Sequence, residues 1–261
     1  MISIEKDYSE IPDSLSNESF RNHFDKFIKK QVSVSGKYYA ADDVLAKLKV
    51  LYNNKCAYCE TKEYKPEIEH YRPKSKYPLL AYEWSNLLPA CHACNQSKSS
   101  HFPTLNKPDY RNIKDAKKLN KSEKPTILNP EIDKPEKHFS FNINTGEIET
   151  KNDSEKAIQT IKYCDLNSEN LIYRRQKKVK NIKKLINLIH LYTLQGKILP
   201  ESVIDNLISE IKNGASINSE YSLLGLYLWV NFEKIISPLI TDKLQKNEFI
   251  KKYKKSSKPQ P

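Results

Sequence analysis

Cys56 and Cys59 form one Cys-x-x-Cys pair, and Cys91 and Cys94 form a second. A two-residue gap lets neighbouring thiolates reach one ion across a tight turn, and four thiolates suit tetrahedral zinc. The alternative is two disulfides, which require an oxidising compartment. The opening residues, Met1-Ile2-Ser3-Ile4-Glu5-Lys6-Asp7, lack the apolar run of a secretory signal. The expectation is therefore a cytoplasmic chain with free thiols and a structural zinc. The fifth cysteine, Cys164, lies in the apolar stretch Ile161 to Leu166 and reads as a small buried hydrophobe.

Between and just beyond the pairs lie Glu67-Ile68-Glu69-His70-Tyr71-Arg72-Pro73, then Asn86, Asn95 and Lys98. Metal-assisted hydrolysis of a phosphodiester needs a hard cation, a base that activates water, and charge to stabilise the transition state. Glu69 and the side-chain oxygen of Asn95 suit Mg2+ or Mn2+, with waters and phosphate oxygens completing the shell. His70 is the nearby side chain whose ordinary pKa suits proton abstraction near neutrality. Adjacent strand residues face opposite ways, so Glu69 and His70 share a site only where a strand ends or twists. Pro73 supplies such an end.

Blander readings stand beside these. Asn86 and Asn95 also suit turns or caps. His92 and His101 read as surface or phosphate-contacting residues, and Tyr82 and Trp84 as packing around the knot. Arg72, Lys74 and Lys76 follow the base and suit either a grip on phosphates or simple solvation. Arg174, Arg175, Lys177, Lys178, Lys180, Lys183 and Lys184 run without an acidic residue between Asn170 and Leu199. That run reads as a solvated helix face, a DNA-tracking surface, or a surface for an acidic partner.

Cys56-x2-Cys59, Glu69-His70-x2-Pro73, Asn86-Leu87, Cys91-x2-Cys94-Asn95 and Lys98 together resemble the HNH endonuclease motif with its zinc-binding cysteine pairs. The resemblance implies that His70 is the general base, Asn86 braces the loop that orients it, and Glu69 and Asn95 hold the catalytic metal. It also implies that Lys98 contacts phosphate. Glu69 stands where Asp is commoner in that family. Further segments resemble a bacterial HNH subfamily that includes the nuclease subunits of Septu anti-phage systems and retron-associated effectors. They include Cys56-Ala57-Tyr58-Cys59-Glu60, Tyr82-Glu83-Trp84-Ser85-Asn86-Leu87-Leu88, Phe102-Pro103, Leu128-Asn129-Pro130 and Leu166-Asn167. In such systems the nuclease works with an ATPase of the ABC/SMC type. A non-catalytic zinc module and an HNH nuclease of a modification-dependent restriction system are the competing readings.

Elements must position these residues. Of 261 residues, 44 are Lys or Arg and 32 Asp or Glu, a net charge of +12, which favours a polyanionic partner such as DNA. None of the five glycines sits in a phosphate-cradling pattern, so an ATP-driven step must come from another protein. No apolar run approaches the ~18–20 residues of a membrane helix. Apolar spacings of three and four predict helices around 22–28 and 42–51, and a short strand is expected over Lys65 to Tyr71. Asn95 onward reads as the first turn of a helix. His138 to Glu149 alternates around Asn144-Thr145-Gly146 and reads as a hairpin.

The helical pattern then resumes, with stripes at Val179, Ile182, Leu185, Ile186, Ile189 and Tyr192 and at Val203, Leu207, Ile208 and Ile211. Leu223 to Ile236 reads as one core helix. The expected fold is α+β and predominantly helical. Its parts are an N-terminal helical segment (1–55), a ββα-metal core with the knot (56–104), a loop-rich excursion with a hairpin (105–153), a C-terminal helical region (154–252) and a basic tail (253–261). The helical region would bind DNA, a partner, or a second copy of the chain.

Overall fold

The computed structural model describes residues 1–107, 116–236, 238, 243–256 and 259. The described fold is α+β and mostly helical. It divides into two compact units: Met1–Phe139 with Thr150–Asn167, and Ser140–Glu149 with Ser168–Pro261. Among the described residues no helix is long and apolar enough to cross a membrane.

The first unit opens with an extended segment whose Ile4 N–H donates to Pro130 O at 2.8 Å. Lys6 reaches inward and donates to the carbonyls of Trp84 and Leu87 at 2.7 and 2.8 Å. Three helices come next: α1 (Glu18–Ile28), α2 (Gly36–Tyr39) and α3 (Asp42–Leu51). Asn17 caps α1 by accepting from Phe20 N–H, satisfying a donor that the helix leaves unpaired. Asp42 and Asp43 open α3, where carboxylates meet the positive end of the helix dipole. Val44 and Leu48 of α3 are fully buried.

Strands β1 (Glu67–His70) and β2 (Leu87–Ala90) then pair antiparallel, with Glu67 opposite Ala90 and His70 opposite Leu87. In this two-stranded sheet both strands are edges, so Pro89 costs no essential ladder bond. Its carbonyl instead accepts Ala57 N–H at 2.8 Å, tying the first cysteine turn to β2. Helix α4 (His92–Lys98) begins three residues before the Asn95 start expected from sequence, because Cys91 is already its N-cap. It ends at Ser99, whose φ is +44°.

Part of the expected excursion lies at residues 108–115, outside the described residues. Beyond it the chain packs as a helix, α5 (Ala116–Glu123), which buries Leu119 and Glu123 completely. The strands β3 (Phe139–Phe141) and β4 (Ile148–Thr150) pair at the expected hairpin, and α6 (Glu155–Tyr163) comes after them, capped by Ser154. Gly146, at the turn, has φ +80° and lies 2.8 Å from Ile172 O at its Cβ position, so only glycine fits.

The second unit holds α7 (Glu169–Lys178), α8 (Lys180–Leu194), α9 (Glu201–Gly214), α10 (Ser222–Val230), α11 (Phe232–Ile236) and α12 (Lys243–Lys255). The stripe of α8 buries Ile182 and Ile189, and that of α9 buries Leu207, Ile208 and Ile211. The single helix expected over Leu223 to Ile236 is two helices, broken at Asn231, whose side chain donates to Tyr227 O at 2.8 Å. Part of the expected tail is helical, since α12 runs to Lys255.

Helices α9 and α10 cross at Gly214 and Gly225. A Cβ on Gly225 would lie 2.2 Å from the Gly214 carbonyl carbon, whereas one on Gly214 meets nothing nearer than 3.6 Å. Gly225→Ala is therefore expected to lower stability by about 1–3 kcal/mol through overpacking. Gly214→Ala should change it by no more than ~0.5 kcal/mol. Urea unfolding of both variants reads the difference.

Candidate metal centre and active site

The sulfurs of Cys56, Cys59, Cys91 and Cys94 all lie within 4.8 Å of one another, and none is in a disulfide. Cys59 Sγ and Cys91 Sγ are 3.8 Å apart. Thiolates around tetrahedral zinc with ~2.3 Å bonds are separated by about 3.8 Å, far beyond a disulfide's ~2.05 Å. The cluster thus fits a zinc site, and the ion would supply structural cross-linking there. Cys164 is buried, and burial pushes its thiol up, so it is an inert core residue rather than a fifth ligand.

His70 ends β1 and is 5% exposed. Its Nε2 lies 2.9 Å from Ala81 O. A carbonyl only accepts, so Nε2 carries the proton and Nδ1 carries the lone pair. Burial pulls the imidazole down to about 4, which keeps it neutral. Tyr39, the last residue of α2, sets its ring edge-on to the imidazole at 4.7 Å. The Tyr39 hydroxyl accepts from exposed Lys74 at 2.8 Å.

Asn86 is buried against the loop that follows His70. Its Oδ1 accepts Arg72 N–H at 2.8 Å, and its Nδ2 donates to the carbonyls of Arg72 and Leu80 at 3.1 and 3.0 Å. These bonds clamp the loop from Arg72 to Leu80, whose next residue, Ala81, anchors His70.

Three expected phosphate contacts are buried instead. Arg72, 1% exposed, pairs with Glu123 at 3.2 Å and donates to Asn120 Oδ1 at 2.7 Å. Lys98, with no exposed surface, pairs closely with Glu69 and donates to His70 O at 3.2 Å. Arg175 donates to Gly146 O at 2.6 Å from a buried position. Residue type and spacing mark these cations as phosphate contacts, but the carboxylate and carbonyl groups that hold them inside are 28 to 51 residues away in sequence. Lys74 and Arg174 are exposed, and Lys178, half-buried, donates to Ser219 Oγ. His101 stacks on Tyr163 at 4.7 Å. Tyr82 packs among Phe20, Phe24, Phe27 and Tyr38, which is a core role.

Glu69 and Asn95 do not meet. The Glu69 carboxylate is buried between Lys98 and the Tyr58 hydroxyl, which donates at 3.3 Å. Burial raises its pKa while Lys98 opposes the shift. Asn95 Nδ2 donates instead to Glu67 Oε2 at 2.6 Å, and His92 Nδ1 lies 2.7 Å from Glu67 Oε1. Those bonds, Asn95's foremost, hold the Glu67 carboxyl below its ordinary range. Sequence reasoning misses Glu67 and Tyr39. The available signal for Glu67 is its place two residues before Glu69, on the same strand face; Tyr39 has none.

The HNH endonuclease family model matches residues 56–101. A Septu protein PtuB of Bacillus thuringiensis is 30% identical over 227 residues, covering 81% of this chain and 76% of that relative. The chain belongs to the Septu PtuB family. A PtuB of Bacillus mycoides strain KBAB4 is 36% identical over 177 residues, 60% of this chain and 58% of its own length. A Septu protein PtuA from the same strain is 28% identical over 222 residues, 77% of this chain but 30% of that protein. No solved structure matches. The matched HNH region contains both cysteine pairs, His70, Asn86, Asn95 and Lys98, so in this PtuB-family chain the four-cysteine cluster and the buried His70 fall within one HNH endonuclease domain.

Two outcomes are expected. Metal analysis should find one zinc per chain, and Cys94→Ser should lose it together with ordered structure in the knot. Arg72→Met should lower stability by about 3–5 kcal/mol, because it strands the buried Glu123 charge; chemical denaturation measures this.

Proposed function

We propose that this chain is a metal-dependent HNH endonuclease that hydrolyses DNA phosphodiester bonds. We further propose that it is the nuclease effector of a bacterial anti-phage defence system. The observation that carries the reading is the fixed tautomer of His70 inside the HNH match: Nε2–H is held by Ala81 O, and Nδ1 is free to accept a proton. Nδ1 takes a proton from water as its oxygen forms a bond to phosphorus. The bond to the leaving oxygen breaks, and that oxygen gains a proton. The products are a phosphate monoester and an alcohol. Asn86 and Ala81 hold the imidazole in place, and Tyr39 covers one side of it. A divalent cation, Mg2+ or Mn2+, would supply positive charge at the phosphate when bound. Lys74 and Arg174, exposed and cationic, are the basic residues proposed to meet the DNA backbone, with Lys178 a further contributor.

The proposed partner is an ATPase of the ABC/SMC type, PtuA-like. In its support, a protein called Septu PtuA contains a stretch similar to most of this chain, and that stretch is under a third of it.

The test incubates supercoiled plasmid with wild type and His70→Ala, in Mg2+ and in Mn2+, with and without a PtuA-like ATPase. Wild type is expected to nick or linearise the plasmid. Loss of the base should slow this at least ~10²-fold. No cutting under any condition, or equal cutting by the variant, overturns the proposal.

A further inference from the structure

We propose that Glu67, His92 and Asn95 form a divalent-cation site, with Glu67 rather than Glu69 as its carboxylate ligand. Use of the cation in catalysis rests on the nuclease reading above; the binding site stands on its own geometry.

Residues two apart on a strand share a face, so Glu67 and Glu69 both look toward α4. They meet different residues there. Glu69 meets Lys98, and both side chains are almost fully buried, 4% and 0% exposed. A dication at Glu69 would sit beside a buried ammonium that has no route to water. Glu67 meets the first turn of α4 instead, where residues three apart, His92 and Asn95, are neighbours on one helix face. Its side chain is 43% exposed and that of His92 is 74% exposed. A cation held there keeps waters and admits a phosphate oxygen.

The separations suit a shared ion. His92 Nδ1 lies 2.7 Å from Glu67 Oε1, and the Asn95 carboxamide lies 2.6 Å from Oε2. Donors on adjacent corners of an octahedron with ~2.1 Å bonds are about 3.0 Å apart. Turning the Asn95 carboxamide over directs Oδ1 to the same place, since its oxygen and nitrogen are nearly isosteric. Neutral imidazole offers Nδ1 as a ligand. The scaffold is pre-set by the knot: Glu67 pairs with Ala90, the residue before Cys91, and Cys94 lies between His92 and Asn95. A set of one carboxylate, one imidazole and one carboxamide favours Mn2+ over Mg2+, because imidazole is a poor Mg2+ ligand.

The probe is Mn2+ titrated into the zinc-loaded full chain, with free Mn2+ followed by electron paramagnetic resonance. Zinc content and circular dichroism check each variant's fold. Wild type is expected to bind one Mn2+ beyond its zinc. Glu67→Gln and His92→Ala, both surface changes, should each weaken Mn2+ at least about tenfold. Glu69→Gln, where it folds, should leave Mn2+ affinity within about twofold; Glu67→Gln and His92→Ala decide the matter without it. Wild type that binds no Mn2+, or Glu67→Gln that binds it unchanged, overturns the site. Plasmid cleavage is scored separately. Cutting by wild type with Mn2+ affinity insensitive to Glu67 sinks this site and leaves the nuclease reading standing. Mn2+ binding that depends on Glu67 without any cleavage does the reverse.

Discussion

The closure of Cys56 and Cys59 onto Cys91 and Cys94 is the constraint on which the site's order depends. The elements it joins are small: two four-residue strands and a seven-residue helix. They bury too little surface to hold themselves together, and a zinc bound by four thiolates contributes folding free energy outright. Because Cys91 both succeeds β2 and caps α4, a zinc held by the four thiolates would fix the angle at which α4 meets β1. Everything that faces α4 from β1 inherits that angle, including the pairing of Glu69 with Lys98 and of Glu67 with Asn95.

A second layer holds His70. His70 hangs between β1 and the loop behind it, and that loop is clamped by Asn86 and by the Arg72–Glu123 ion pair reaching to α5. Fully buried ion pairs are poor sources of net stability, yet costly to break. Here the pair locks the segment that carries Ala81 O, and so the tautomer of His70. The order of this site comes from polar groups removed from water, whereas Lys74, on the same loop, is exposed and reaches the Tyr39 hydroxyl.

The knot is legible in the sequence because its information is local: a two-residue gap between thiols has few meanings. The helices are legible for the same reason, as α3 and the stripes of α8 and α9 repeat at helical period. The break at Asn231 is not, because Leu223 to Val230 is apolar throughout and apolar residues resume at Phe232, Ile235 and Ile236, so periodicity carries no stop. The site's residue types are readable; their partners are not. Arg72 looks like a phosphate grip until Glu123, 51 residues away, is seen beside it. Glu69 looks like the metal carboxylate by its place before His70. The choice between it and Glu67 depends on which residue of α4 stands opposite, and that is set by tertiary packing. Tyr39 reaches His70 from α2, a separate helix whose sequence carries no mark of the site.

The proposed attack of His70-activated water on phosphorus in a DNA backbone is tested by cleavage in H2 18O, with a PtuA-like ATPase and Mn2+ present, followed by mass spectrometry of the product ends. One 18O is expected in the phosphate-bearing end of each wild-type product, and no such product from His70→Ala. Unlabelled phosphate ends, or labelled ends produced equally by His70→Ala, would contradict it.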